Sequence, residues 1–237
     1  MIPLTDRDLQ DFQQSHSWFC GTRLPDGRIL GNKDRMHEGN EPFFQTTREH
    51  LHLSGETSLI EFGAAEGHFS VFLAPMVKRL VCVEVRPRNV IALLTRLFVH
   101  DIRNVDVWLK DVSVVGPDWG RFDALFHVGV LYHLSNPVAH LLSLRGLADR
   151  LLLDTHYGTD DLPLPRGELE HQGKRYPGYL YRERGWQDPY SGVEPASCWL
   201  RRDVLLDLLT EIGYRQVTVL SDHLINGMPR FTVVASQ

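Results

Sequence analysis

Residues 59–70 read LIEFGAAEGHFS, a short apolar run that enters a glycine-bearing turn and then opens an amphipathic segment. Gly63 lets the chain turn sharply at the end of a strand, because a residue without a Cβ tolerates backbone angles that others avoid. Gly67 removes a side chain where a ligand, or the strand itself, must lie against the start of the helix. The stretch therefore predicts a strand–loop–helix unit of the kind that binds nucleotide cofactors.

The loop departs from the dinucleotide fingerprint G-x-G-x-x-G, because its second and third glycine positions hold Ala65 and His68. It fits acidic-x-Gly-x-x-x-Gly, with Glu61 as the acid. This pattern resembles motif I of the class I S-adenosylmethionine (SAM) methyltransferases, except at Ala65, where many members carry a third glycine. The resemblance implies SAM as the cofactor and S-adenosylhomocysteine (SAH) as its product, with Glu61 serving the methionine moiety. It also assigns the loop positions to the cofactor: Gly63, Ala64, Glu66 and Gly67.

Two further apolar runs lead to carboxylates. Residues 80–84, LVCVE, end in Glu84, and residues 104–112, NVDVWLKDV, carry Asp111 near their end. A carboxylate can accept hydrogen bonds from both hydroxyls of a ribose. The resemblance implies that Glu84 binds the ribose, Asp111 the adenine amino group, and the backbone N–H of Val112 a ring nitrogen. A solvated loop acid is the alternative interpretation of either carboxylate.

Residues 122–137, FDALFHVGVLYHLSNP, are the most specific segment. They resemble motif IV of a methyltransferase subgroup with a Gly-Val-Leu-Tyr-His phrase, which includes tRNA wobble-uridine carboxymethyltransferases and actinobacterial small-molecule methyltransferases. The Trp18-Phe19 pair and the following LPDGR turn are similar to the segment that precedes the fold in such enzymes. His127 and Val128 are predicted on the cofactor side of this strand, with a structural role in the core as the alternative for His127.

The chain as a whole predicts an α/β fold, a Rossmann-like doubly wound methyltransferase sheet that is mostly parallel and closes with an antiparallel hairpin. Strands near 80–84, 105–109, 123–128 and 150–154 alternate with helices near 67–78, 88–98 and 137–148. Helices at 5–15 and 41–53 precede them, and a helix at 201–212 with strands at 216–220 and 231–234 follows. One domain is expected, with an N-terminal helical segment 1–55, a SAM-binding half 56–156, an insertion 157–200 and a closing part 201–237.

Composition narrows the class of protein. The 237 residues are 43% hydrophobic and 23% charged, with a formal net charge of −5. The lack of a basic run argues against a nucleic-acid partner and favours a small-molecule substrate. Three separated cysteines predict neither a disulfide framework nor a thiolate zinc site, and suggest a cytoplasmic protein. No signal peptide or membrane span is expected, and the oligomeric state stays open, a homodimer included.

The insertion at 157–200 is longer than an ordinary connection and rich in aromatic residues, which suggests a cap over the substrate. The alternative is that these rings only attach a long loop to the sheet. The aromatic residues predicted to contact substrate are Trp18, Tyr157, Tyr181 and Trp186.

Methyl transfer from a sulfonium is an in-line displacement, so positioning does most of the work. A hydroxyl or ammonium acceptor must also lose a proton, and a histidine with an unperturbed pKa of about 6.5 can take it. His133, just past the fourth strand, is the predicted base. Tyr132 is predicted to orient the substrate or to donate a hydrogen bond near the sulfonium, and His156 is a second candidate base or a substrate contact. Packing under the next helix is the alternative for His133. The twelve histidines show no close metal-ligand spacing, so no metal is expected.

The leading hypothesis is a SAM-dependent methyltransferase that acts on an oxygen or nitrogen of a small molecule, in secondary metabolism. One alternative is a tRNA-modifying (carboxy)methyltransferase, favoured by motif IV and disfavoured by the acidic balance. The other is a subunit that holds SAM without using it. The three strand-end acids and the glycine loop favour an active enzyme over this last alternative.

Overall fold

The computed structural model describes residues 4–36 and 41–237. Its contacts group into two compact units, one reaching to Lys110 and the other beginning at Asp111. No helix of the described ranges is long and apolar enough to cross a bilayer.

The first unit is built on three parallel strands, with β3 beside β4 and β4 beside β5. β3 and β4 are mostly apolar and buried, as expected of parallel strands that are covered on both faces. Its strands are β1 (Thr22–Arg23), β2 (Ile29–Leu30), β3 (Ser58–Phe62), β4 (Arg79–Glu84) and β5 (Val105–Leu109). Its helices are α1 (Asp6–Ser15), α2 (Glu41–His50), α3 (Ser70–Leu73) and α4 (Pro87–Val99).

Local sequence explains how these helices begin and end. Thr5 and Asp8 form both arms of a capping box at the start of α1. Pro87 occupies the first turn of α4, where its missing N–H costs nothing. Pro75 has the opposite effect: α3 ends at Leu73 and continues only as a 3-10 turn, so the predicted helix at 67–78 was too long.

The second unit carries a four-stranded sheet in the order β11-β12-β7-β6 and a separate three-stranded antiparallel sheet in the order β10-β9-β8. β6 and β7 are parallel, and the last two strands run antiparallel to their neighbours. Its first strands are β6 (Phe122–Val128), β7 (Ala148–His156), β8 (Arg166–His171) and β9 (Lys174–Arg182). The remaining elements are α5 (Pro137–Ser143), β10 (Ala196–Leu200), α6 (Arg202–Glu211), β11 (Gln216–Ile225) and β12 (Met228–Ser236).

Two expectations of this second unit need correction. The helix predicted at 137–148 ends at Ser143, because Gly146 turns with a positive φ of 75° and β7 begins at Ala148. The closing strands are longer than predicted, because the two-residue turn Asn226-Gly227, with φ of 52° and 78°, lets pairing continue to Ile225 and Met228. The insertion at 157–200 contains the three-stranded sheet, and its role as a cap over the substrate stays a prediction.

Candidate active site

The glycine loop follows β3 and turns through backbone angles that favour glycine. Gly63 and Gly67 have positive φ values of 64° and 77°, and Ala65 adopts the left-handed region as well, with φ of 49°. A Cβ on Gly67 would overlap with the Leu93 side chain of α4. A glycine at position 67 is therefore favoured by its left-handed backbone and by the close approach of Leu93 on α4 to the loop.

Glu84 ends β4 beside this loop. Its carboxylate accepts the backbone N–H of Ala65 at 2.9 Å and that of Arg86 at 2.9 Å, and the Asn89 amide lies at 3.4 Å. Burial raises the pKa of Glu84, while the hydrogen bonds from Arg86 and Ala65 oppose the shift. Glu84, the residue predicted to bind the ribose, thus lies next to the glycine loop and stabilises it through the hydrogen bond from Ala65.

Glu61, the predicted partner of the methionine moiety, lies at the inner side of the loop. The Ser70 hydroxyl donates to its carboxylate at 2.6 Å, and the Cys82 thiol lies 3.4 Å from the same oxygen. Burial raises the pKa of Glu61 to about 7. The side chain is almost completely enclosed, so its assignment to the cofactor stays a prediction.

Glu66 has partners that the sequence did not reveal. Its carboxylate accepts the backbone N–H of Phe19 at 2.8 Å and of Cys20 at 3.2 Å, and lies 3.4 Å from the buried Arg96 guanidinium. Arg96 also donates to the Glu66 carbonyl and to the Cys20 carbonyl. Glu66, predicted to contact the cofactor, thus connects the segment around residue 19 to the glycine loop by hydrogen bonds.

Trp18, predicted to contact substrate, is a core residue. It is buried in an apolar cluster of the first unit and lies under the Arg96 guanidinium, 5.3 Å from carbon to ring centroid. Its indole N–H donates to the Phe12 carbonyl at 3.3 Å. A substrate contact from this ring would disturb that cluster, and the contact stays a prediction.

The remaining predicted cofactor residues lie in the second unit. Asp111 is exposed, and its carboxylate accepts the Ser113 amide at 2.8 Å and the Ser113 hydroxyl at 2.6 Å. The carbonyl of the buried Val112 accepts the Nδ1–H of His140 at 2.6 Å. Val128 ends β6 opposite Asp154. Whether Asp111, Val112 and Val128 contact a cofactor stays a prediction.

His127 is completely buried within β6. Its Nε2 lies 2.7 Å from Nε2 of His140, and burial lowers the pKa of His127 well below its usual range and that of His140 to about 4. Both rings are therefore neutral. The imidazole of His127 is a core group, and a cofactor contact of this ring would require it to leave the pair.

The three predicted catalytic residues lie together. A 3-10 turn at Leu131–His133 follows β6 and carries Tyr132 and His133, whose ring centroids are 4.3 Å apart. His156 ends the parallel neighbour β7, and its ring lies 4.8 Å from that of Tyr132. Its Nδ1–H donates to the Pro229 carbonyl at 3.0 Å, and burial lowers the pKa of His156. The cluster stands where parallel strands place ligand-binding residues.

Glu183, directly after β9, contacts the predicted base and was not predicted from the sequence. Its carboxylate lies 3.0 Å from Nδ1 of His133, and accepts the Ser197 hydroxyl at 2.8 Å, the Gly192 amide at 2.7 Å and the Ser191 hydroxyl. Burial raises the pKa of Glu183, but the hydrogen bond and charge of His133 and the donors of the loop outweigh it, leaving a pKa of about 2.

Arg230, on β12, is a second residue that was missed. Its guanidinium pairs with Asp154 and lies 5.6 Å from the ring centroid of Tyr132, while Thr232 donates to the other Asp154 oxygen at 2.6 Å. A Cβ on Gly129 would lie 3.7 Å from the Tyr132 hydroxyl. The ion pair of Arg230 and Asp154 therefore packs its guanidinium against the face of the Tyr132 ring.

The predicted substrate aromatics of the insertion have different roles. Tyr181 stacks on Trp199 at 4.8 Å, and Trp199 stacks in turn on His156 at 5.0 Å, so Tyr181 lies beside the predicted catalytic cluster. The Tyr157 hydroxyl donates to Asp222 at 2.8 Å on the hairpin. Trp186 is 60% exposed on the loop after β9. Tyr181 is brought to the cluster; contact of Tyr157 and Trp186 with substrate stays a prediction.

Neither a protein-family model nor a curated protein matches the sequence. The structure, in contrast, is similar to the SAH-bound N-terminal domain of EvdMO1, with a TM-score of 0.81 and 25% identity over 98% of each chain. It also resembles a 1,6-didemethyltoxoflavin-N1-methyltransferase from Burkholderia thailandensis, with a TM-score of 0.54 and 17% identity over 83% of this chain and 76% of that one. This chain has the class I methyltransferase fold. The predicted fold class is confirmed.

The methyltransferase fold accounts for nearly the whole chain, since the EvdMO1 domain crystallised in the presence of SAH and D-fucose also aligns over 98% of it, with a TM-score of 0.80. The chain spans 47% of the longer EvdMO1 chain.

Proposed function

We propose that this chain is a SAM-dependent methyltransferase that methylates an oxygen or nitrogen of a small molecule. The observation that carries the proposal is the cluster of Tyr132, His133 and His156 at the carboxyl ends of two parallel strands. Two imidazoles and a phenol in one place can orient an acceptor and remove its proton. A hydrophobic core does not need two imidazoles and a phenol side by side.

The first unit supplies the groups proposed for the tail and the ribose of the cofactor. The glycine loop after β3 and the carboxylate of Glu84 after β4 are suited to the tail and ribose of SAM. SAM supplies an electrophilic methyl group on a sulfonium, and the solved neighbours that contain SAH support this cofactor. Asp111 and Val112 are the residues proposed for the adenine.

His133 is the proposed base. Its side chain keeps 23% of its surface exposed while Glu183 is 1% exposed, so the imidazole can meet an acceptor and the carboxylate cannot. His156 is the weaker candidate, because burial lowers its pKa and so reduces its affinity for a proton. Tyr132, held between the two rings and backed by Arg230, would orient the acceptor.

The acceptor class can be tested directly with SAM carrying a radiolabelled methyl group. The panel should contain simple sugars, D-fucose included because it was present with a structural neighbour, together with small amines and small phenols. Label in a sugar or phenol would assign oxygen transfer, and label in an amine would assign nitrogen transfer. Label found only in tRNA would contradict the proposal. Label in at least one of these small molecules, at a hydroxyl or an amine, is the expected outcome.

Replacing Glu84 is expected to weaken SAM and SAH binding. Glu84→Ala removes a charge-assisted acceptor for the ribose hydroxyls, and should cost about 1–3 kcal/mol of binding free energy measured by calorimetry. Glu84 also accepts a hydrogen bond from the Ala65 amide, so the substitution can change stability as well as binding. The thermal midpoint of Glu84→Ala must therefore be compared with that of the wild type. Glu56→Ala, at a solvent-exposed acid, is the control. Undetectable SAH binding with tight NAD binding by the wild type would disprove the cofactor assignment.

A further inference from the structure

Glu183 is bound by two donors on each carboxylate oxygen. Oε1 lies 3.0 Å from His133 Nδ1 and accepts the Ser197 hydroxyl, and Oε2 accepts the Ser191 hydroxyl and the Gly192 amide. An ionised carboxylate only accepts hydrogen bonds, and four donors use its lone pairs well. A buried acid of this kind remains an anion.

The anion determines which imidazole nitrogen of His133 carries a proton. Since the Glu183 oxygen has no proton to give, Nδ1 must be the donor, and a neutral imidazole then keeps its lone pair on Nε2. A base for methyl transfer to a hydroxyl or ammonium needs that lone pair. With the proton on Nε2 instead, the outer nitrogen would be a donor and could not accept the acceptor's proton.

We propose that Glu183 is a positioning residue that fixes His133 as the Nδ1–H tautomer, and that the insertion exists in part to supply it. The inference rests on the proposed function and deepens it, because it assigns the insertion a part in the proton-transfer machinery in addition to any contact with substrate. Glu183 acts through His133 and is not placed against the reacting atoms.

Gly192 supports the same arrangement from the loop. A Cβ at this position would overlap with the His133 carbonyl and approach Cγ of Glu183 to 3.0 Å. The absence of a side chain therefore lets the loop close on both partners at once. Ser191, next to it, donates to Glu183 and accepts the Arg184 amide at 2.8 Å, so the loop is tied at its two ends. The loop thus holds the carboxylate at the imidazole.

The test is the ring-nitrogen spectrum of ¹⁵N-histidine-labelled full-length protein, recorded at mildly alkaline pH without substrate. His133 is assigned by its loss in His133→Ala. In wild type the Nδ1 signal should be protonated and the Nε2 signal unprotonated. In Glu183→Gln the population with the proton on Nε2 should rise, because the new amide can donate to Nδ1.

Turnover gives a second readout. Glu183→Gln should lower kcat about 10–100-fold, by analogy with the loss seen when the partner that orients a metal-bound histidine is removed, with the SAM Kd unchanged. Glu168→Gln, an exposed acid on β8, is the matched control and should change neither tautomer nor kcat. Ser191→Ala leaves the Oε1 contact to His133 in place and should retain the wild-type tautomer.

A neutral wild-type His133 with its proton on Nε2 would overturn the inference. This measurement needs no variant, so the inference stays testable even if Glu183→Gln fails to fold. An unchanged tautomer and kcat in a folded Glu183→Gln would overturn it as well. The spectrum needs no acceptor. Suppose that Glu183→Gln loses the Nδ1–H tautomer while the wild type methylates nothing in the panel. That result would support the positioning role of Glu183 and would count against the proposed function.

Discussion

His133→Ala is expected to lower turnover by about 10²–10⁴-fold while leaving SAM affinity nearly unchanged. The imidazole is the proposed proton acceptor, whereas the glycine loop and Glu84 are the proposed cofactor groups, so chemistry and binding should separate. The measurement is kcat at saturating SAM together with the SAH Kd from calorimetry. An alanine at this position also removes the partner of Glu183, so folding should be checked by the thermal midpoint.

His50→Ala is the matched control, because this histidine is exposed at the end of α2. It should behave like wild type in both assays. Unchanged turnover in His133→Ala, with His156→Ala inactive but still able to bind SAH, would show that the base follows β7. An acceptor that needs no deprotonation would leave both variants active, which would limit the role of the two imidazoles to orienting the acceptor.

Glu66→Ala is expected to destabilise the protein by about 3–5 kcal/mol, the usual loss when one partner of a buried ion pair is removed. The carboxylate balances the buried Arg96 guanidinium and accepts two backbone amides, those of Phe19 and Cys20. Its removal leaves a buried charge without that compensation. Denaturant unfolding followed by tryptophan fluorescence measures the change.

Glu56→Ala serves as the control for this measurement too. Its exposed carboxylate pairs with Lys78 at 3.3 Å at the surface, so its loss should cost under about 1 kcal/mol. The double variant Glu66→Ala/Arg96→Met should lose less stability than the two single variants added together, because the two residues share one interaction. A small loss of stability combined with weaker SAH binding would return Glu66 to the cofactor role that the motif predicted.

The sequence predicted the strands and the strand-end residues well, because a buried parallel strand is a continuous apolar run that carries its own pattern. β5 has the predicted bounds, and Glu84 ends β4 as expected. Helix ends were less well predicted. Pro75 and Gly146 end helices whose apolar spacing continues past them, and the Asn226-Gly227 pair was the better guide to the hairpin.

Long-range polar contacts could not be read from the sequence. Glu183 lies fifty positions from His133 in an insertion whose strands mix charged and aromatic residues, and nothing local marks it as the partner of an imidazole. Glu66 was read as a ligand residue because its motif position suggests one, whereas its acceptor role depends on backbone amides. The cluster of Tyr132, His133 and His156 was predicted because strand ends meet at one edge of a parallel sheet.

The link from Glu66 to residues 19 and 20 has a consequence for how the glycine loop opens. Local opening in proteins involves groups of contacts that break together, and the rate of amide hydrogen exchange reports the free energy of that opening. The amides of Phe19 and Cys20 can exchange only when they leave a carboxylate that belongs to the loop. A cofactor that holds the loop closed should therefore slow exchange at these two amides, although they lie more than forty positions away in the chain.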